Sequence, residues 1–243
     1  MDISVFSRYK HQVLLPGVGQ EGQERLFKAK TLVVGAGGLG SPILYYLAAA
    51  GVGTLGIIDE DKVDISNLQR QILHWEKDVG TSKVDSAREK LNSLNSRTKL
   101  IIYESRLGPA LARELFPDYD LVISAVDNRA TRLVINKVCY ETGRPWVEGG
   151  VNRFTGVVTV FNPPEGPCYQ CLYGDIIDAE KSTPAILGTV AGVIGLLQAQ
   201  EALKLILGIG KPLTGRLLIF DALETAFESV EIKPDPKCRV CGR

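Results

Sequence analysis

"TLVVGAGGLGS", residues 31–41, decides the fold. A short apolar strand runs into Gly35, Gly37, Gly38 and Gly40, and a helical pattern opens directly behind them. Gly35, Gly37 and Gly40 stand at G-x-G-x-x-G spacing. Glycine allows the tight turn and a close backbone approach, and a helix N-terminus offers unpaired N–H groups to phosphate oxygens. The next strand candidate ends on Asp59, about where such a unit places the acid that holds a ribose. A tight turn beside a surface acid would explain part of this. Strand, glycines, helix and acid together point to a nucleotide site. Up to here NAD and ATP fit equally.

Outward from that loop, strand candidates at 54–59, 99–103, 120–126 and 145–148 alternate with helical stretches at 39–50, 82–94, 109–116 and 129–142. Alternation of this kind predicts parallel βαβ units. The expected fold is α/β: Rossmann-like, with a mostly parallel sheet and helices on both faces. Beyond Gly150 the pattern changes. "TGVVTVF" (155–161), "GRLLIFD" (215–221) and "FESVEI" (227–232) read as additional C-terminal antiparallel strands. Residues 173–184 have no clear period and read as a loop crossing the molecule. One domain over 1–243 is expected: a helical arm (1–29), a nucleotide-binding half (30–150) and a second half (151–243).

Composition narrows the classes. The 243 residues are 45% hydrophobic and 23% charged, enough for one substantial core. Lys+Arg and Asp+Glu balance at 28 each, so no basic field calls for nucleic acid or a membrane surface. "MDISVFSRYKHQ" lacks the regions of a signal peptide. The apolar run 185–199 falls short of the roughly 20 residues that span a bilayer and reads as a buried helix. A cytoplasmic chain is expected.

The chemistry is written in "IIDEDKVDISNLQRQILHW", residues 57–75. Asn67, Gln69, Arg70 and Gln71 crowd behind the ribose acid, and Lys83 follows in "VGTSKVDSA". Hydride transfer has no use for an arginine there. A planar guanidinium, an ammonium and an amide suit phosphate oxygens, where charge stabilisation does most of the work. "DLVISAVDNRATR" then delivers Asp127 to the carboxyl end of a strand. A carboxylate beside a polyphosphate calls for a cation between them, which makes Asp127 a candidate for Mg²⁺; capping the helix from Arg129 is its other reading. Cys168-x-x-Cys171 and Cys238-x-x-Cys241 offer four thiolates for a closed, structural Zn²⁺ site. Cys139, at helical spacing, reads as a core thiol.

These stretches, with "RYKHQVLLPGVGQEGQERL", "YLAAAGVGTLGIIDED", "GPCYQCL", "GVIGLLQAQEALKLI" and "CRVCG" in order, resemble the MoeB and ThiF group of ubiquitin-E1-like adenylyltransferases. The resemblance covers almost the whole chain. It implies adenylation by ATP of the C-terminal glycine of a small ubiquitin-like sulfur-carrier protein ending in Gly-Gly, with pyrophosphate released, as in molybdopterin or thiamine biosynthesis. It implies Gly35, Gly37, Gly38 and Gly40 under the phosphates and Asp59 on the ribose. Asn67, Arg70 and Lys83 match phosphate-contacting positions, and Asp127 the acid that manages Mg²⁺ and the attacking carboxylate. Residues 151–243 become the carrier-binding half with the zinc site. A homodimer is implied, each arm crossing to its neighbour's ATP site. The nucleophile is already an anion, so no general base is needed; His11 and His74 are the only histidines.

Two departures from the family pattern matter. Many relatives carry R-Y-x-R-Q near the N-terminus, where this chain has "RYKHQ" and therefore His11, with Arg8 and Lys10 nearby. Covalent relatives carry a cysteine on the crossing loop, and "YGDIIDAEKSTPAILG" has none. The expectation is a non-covalent adenylated complex passed to an external sulfur donor, with no rhodanese domain behind the zinc pair. An NAD-dependent dehydrogenase would leave Arg70, Lys83 and Asp127 without roles. A nucleotide-binding scaffold without chemistry and a tRNA-modifying dehydratase are further alternatives; the balanced charge disfavours the latter.

Overall fold

The computed structural model describes residues 7–174 and 185–242. The crossing loop expected at 173–184 lies, beyond its first two residues, outside the described residues, as do residues 1–6.

Eight strands form one sheet in the order β3-β2-β1-β4-β5-β6-β7-β8. The first five are β1 (Lys30–Val34), β2 (Thr54–Ile58), β3 (Lys99–Tyr103), β4 (Leu121–Ser124) and β5 (Trp146–Asn152), all paired in parallel. Strands β6 (Thr155–Phe161), β7 (Arg216–Asp221) and β8 (Ala226–Glu231) continue it antiparallel. The expected fold class is thus the observed one. The order reverses between β1 and β4, and such a switch point opens a crevice at the carboxyl ends of the strands.

Side-chain alternation explains why both faces are covered. Leu32 and Val34 of β1 enter one core while Val33 enters the other; Val122 of β4 separates in the same way from Leu121 and Ile123. One face carries α3 (Gly40–Ala50), α4 (Lys83–Leu94) and α8 (Gly188–Leu207); the other carries α5 (Pro109–Leu115), α6 (Arg129–Thr142) and α7 (Tyr169–Tyr173). Trp146, Phe161 and Tyr169 fill the second core, the first two rings 5.0 Å apart.

The arm contains α1 (Lys10–Val13) and α2 (Gly19–Lys28). Tyr9 anchors it: the ring is buried edge-on against Phe27, 5.3 Å between centroids, and its hydroxyl accepts a 2.8 Å bond from Asn95. His11 is exposed.

Helix α8 begins inside the apolar run, at Gly188, and continues past it to Leu207. Its 20 residues and mean hydropathy of 1.5 would suit a membrane span, but half of that stretch is buried inside the protein. Val190, Ala191 and Ile194 sit in the first core. Gln198, fully buried in the same helix, donates 2.7 Å to the Ser124 carbonyl at the end of β4. Gly195 lets the helix lie against the start of α3, since a Cβ there would come 2.5 Å from both the Leu39 carbonyl oxygen and Pro42. Gly195→Ala should therefore destabilise the fold by about 1–3 kcal/mol through overpacking, lowering the melting temperature by several degrees; an unchanged melt would contradict this packing.

Candidate active site

The glycine loop is built by exclusion. Gly35 has φ +103°, and a Cβ on it would lie 2.4 Å from the Ala125 carbonyl oxygen. A Cβ on Gly40 would lie 2.2 Å from the carbonyl oxygen of Gly35. Neither position tolerates a side chain. Gly40 is buried at the start of α3 and belongs to the turn itself. Gly37 and Gly38 lie against Gln71 and Arg70, which a Cβ on each would approach to 3.4 and 3.3 Å.

A cleft of about 650 Å³ opens along this loop at the switch point, lined by Gly35, Gly37, Gly38, Asp59, Arg70, Lys83 and Asp127 among others. Seven of the residues singled out in the sequence thus meet in one place. Gly40 stands behind the lining. Asn67 lies outside it, in the short turn Ile65–Asn67, where its amide donates 3.2 Å to the Ser66 hydroxyl.

Each polar group has a visible support. Asp59 directly follows β2 and accepts from the Ala36 N–H at 2.7 Å and the Asp61 N–H at 2.9 Å. Arg70 is steadied by the Ser66 carbonyl at 3.2 Å. Lys83 begins α4, is 5% exposed, and its ammonium meets the Asp61 carboxylate at 2.7 Å. Asp127 stands exposed in the cleft. The cap of α6 is Asn128, whose side chain accepts from the Thr131 N–H at 2.9 Å, so Asp127 is spared that duty.

Three features were given no role from the sequence. Arg132 lines the cleft, donates 2.7 Å to the Val126 carbonyl and pairs at 2.8 Å with Glu148. Burial pushes the Glu148 carboxyl up, Arg132 opposes that, and Ser124 donates to the carboxylate. A carboxylic acid inside the strand stretch "WVEGG" was the available signal. Gln71, 5% exposed, lines the cleft with its carbonyl oxygen lacking a partner. His74 is buried behind the loop, between the Ala36 carbonyl and the Ser86 hydroxyl.

At the far edge Cys168, Cys171, Cys238 and Cys241 converge, their sulfurs all within 4.8 Å of one another. Neighbouring Sγ atoms stand 3.9, 3.5 and 3.3 Å apart. Four thiolates at about 2.3 Å from a tetrahedral zinc would be separated by roughly 3.8 Å, so the donor set fits that ion, and it ties residues 238–241 to α7.

Known proteins share this plan. A sulfur carrier protein adenylyltransferase of Thermus thermophilus is 44% identical over 97% of this chain and 90% of its own length. The SAMP-activating enzyme E1 of Haloferax volcanii is 42% identical over 100% of this chain and 91% of its own. Among solved structures, Escherichia coli MccB with ATP matches with a TM-score of 0.81 at 25% identity, over 90% of this chain and 68% of that one. The ThiF family model matches residues 9–240. The chain belongs to the ThiF family.

Proposed function

We propose that this protein adenylates the C-terminal glycine carboxylate of a small ubiquitin-like sulfur-carrier protein, using ATP and releasing pyrophosphate. The observation that carries the reading is the meeting of Arg70, Lys83 and Asp127 around an open glycine loop in one cleft. Relatives named as a sulfur carrier protein adenylyltransferase and a SAMP-activating E1 support it, as does the MccB structure with ATP.

The chemistry follows from charge. A carboxylate oxygen forms a bond to the α-phosphorus while the bond to the bridging oxygen of pyrophosphate breaks, and that electron pair leaves with pyrophosphate. Both reactants are anions, so catalysis consists of alignment and neutralisation. Gly35, Gly37 and Gly38 let the backbone approach the phosphates, and Asp59 holds the ribose. Arg70 and Lys83 draw off negative charge, with Asn67 added by its amide. Asp127, one open carboxylate, fits an ion that keeps water and phosphate oxygens as its other ligands; Mg²⁺ held there would supply further neutralisation. Zn²⁺ on the four cysteines would have no open position, so its part is structural. A homodimer, a carrier ending in Gly-Gly and an external sulfur donor complete the proposal.

Carrier-dependent exchange of labelled pyrophosphate into ATP tests the reading. Arg70→Ala and Asp127→Ala should each lower that exchange by about 10²-fold or more, with melting temperatures close to wild type. Near-normal exchange in either folded variant would remove that residue from the site.

The zinc assignment is separable. The protein should carry close to one zinc per chain by elemental analysis, and Cys238→Ser should lose the metal and melt earlier. A chain without bound metal that melts as before would contradict a stabilising site. Sedimentation should show a dimer at micromolar concentration, and a monomer would count against the shared arm.

A further inference from the structure

Ala36, between the first two glycines, has both backbone polar groups held. Its N–H donates to Asp59 at 2.7 Å, and its carbonyl oxygen lies 2.8 Å from His74 Nε2. A carbonyl only accepts, so Nε2 carries a proton. On the other side of the ring, Nδ1 lies 2.8 Å from the Ser86 hydroxyl. That oxygen is also 3.0 Å from the Asp78 carboxylate and accepts from the Lys90 ammonium at 3.0 Å. The hydroxyl has one proton to give. With a neutral ring it goes to Nδ1, and Asp78 keeps Lys90 and the Trp75 N–H as partners. With an imidazolium both ring nitrogens donate and the hydroxyl must turn to Asp78.

All four residues are at most 5% exposed: His74 3%, Ser86 1%, Asp78 5% and Lys90 4%. The charged groups facing the ring are Lys83 and Lys90 from α4, Asp59 from the end of β2, and Asp78 from the turn Glu76–Asp78. Burial, helped by the two lysines, pushes the His74 imidazole below the usual histidine range. These surroundings favour the neutral ring.

We propose that His74 is a positioning residue for the adenylation step: as the Nε2–H tautomer it fixes the Ala36–Gly37 peptide from behind by its carbonyl and thereby sets the Gly37 and Gly38 backbone along the cleft. The proposal rests on the reading of that cleft as the ATP site. In this clamp Asp59 holds the N–H of the Gly35–Ala36 peptide and His74 the carbonyl of the Ala36–Gly37 peptide, and the lack of room for a Cβ pins Gly35 before them. The Gly37 N–H, in the peptide whose carbonyl His74 holds, is then kept from turning away when phosphate arrives, which is preorganisation rather than contact.

The test compares wild type, His74→Gln and His74→Leu. Glutamine can present an amide N–H where Nε2 stood; leucine leaves the buried Ala36 carbonyl unpaired. By calorimetry with a non-hydrolysable ATP analogue, His74→Leu should bind about tenfold or more weakly, and His74→Gln within about threefold of wild type. In the nucleotide-free chain, amide hydrogen exchange at Gly37 and Gly38 should accelerate in His74→Leu and not in His74→Gln. Melting in acid adds a third readout. The unfolded chain takes the His74 proton first, so the stability due to the neutral ring is complete above about pH 6.5 and lost as pH falls; His74→Gln should flatten that limb. A folded His74→Leu with wild-type affinity and exchange overturns the proposal, as does a folded His74→Gln as impaired as leucine. Should His74→Leu fail to fold, the ¹⁵N spectrum of wild type decides: a protonated Nε2 with a bare Nδ1 supports the clamp, and the opposite tautomer or an imidazolium at pH 7 refutes it. Failure of wild type to bind the analogue would sink the functional reading, while the exchange and tautomer results still judge the clamp.

Discussion

A backbone approach with no room for a Cβ governs the nucleotide end of this molecule. Gly35 passes the Ala125 carbonyl so closely that only hydrogen fits, which lets β1 and β4 lie side by side at the point where strand order reverses. Everything in the cleft is placed from there. Asp59 reaches the loop because β2 is in register with β1, Ile58 opposite Val34. Asp127 enters because β4 ends level with β1, Ser124 opposite Val34. Helix α8 then closes the first core beneath the loop, with Ala191 touching the space over Gly38. A larger residue at Gly35 would have to part these strands, and the cleft would lose its floor together with its walls.

The site handles charge by opposing cations and anions that the fold keeps apart. Lys83 is buried yet retains a partner in Asp61, which stays in solvent. Arg132 and Glu148 form a buried pair, and such a pair is weak evidence for stability, since desolvation offsets much of its attraction. Its value here is geometric: the guanidinium also holds the Val126 and Gly149 carbonyls, at 2.7 and 3.2 Å, and so ties the segment leading into Asp127 to β5. Gln198 does the same for Ser124 from the opposite face. Polar groups buried in apolar elements thus mark where carbonyls at the sheet's buried edge of the cleft needed partners.

Most of the fold was legible because its signals are local. The strand at 155–161 and the helix at 129–142 have the bounds that pattern and turn residues imply, since period-2 and period-3.6 burial leave a direct trace in the sequence. Gly35, Gly37, Gly38, Asp59, Arg70, Lys83 and Asp127 were singled out from the sequence, and the cleft gathers them. What sequence missed depends on contacts between distant segments. Arg132 has no distinguishing signal within its own helix, and its partner Glu148 comes from β5. His74 looked spare because its partners, Ala36 and Ser86, sit 38 and 12 positions away. Helix α7, five residues long, is too short for a periodic signal and follows the cysteines at its start. Asn67 shows the reverse: a polar residue in the right motif whose side chain, in this state, turns to its neighbour Ser66 instead of the cleft.

The central claim is that this cleft joins a carboxylate oxygen to the α-phosphorus of ATP. Oxygen-18 in the C-terminal carboxylate of a Gly-Gly carrier tests it most directly. After a single turnover, with the acyl group captured by hydroxylamine at its carbonyl carbon, mass spectrometry reads where the label went. One labelled oxygen in AMP and none in pyrophosphate is the predicted result. Label in pyrophosphate, or AMP formed without label, would contradict attack at the α-phosphorus and with it the account of the site.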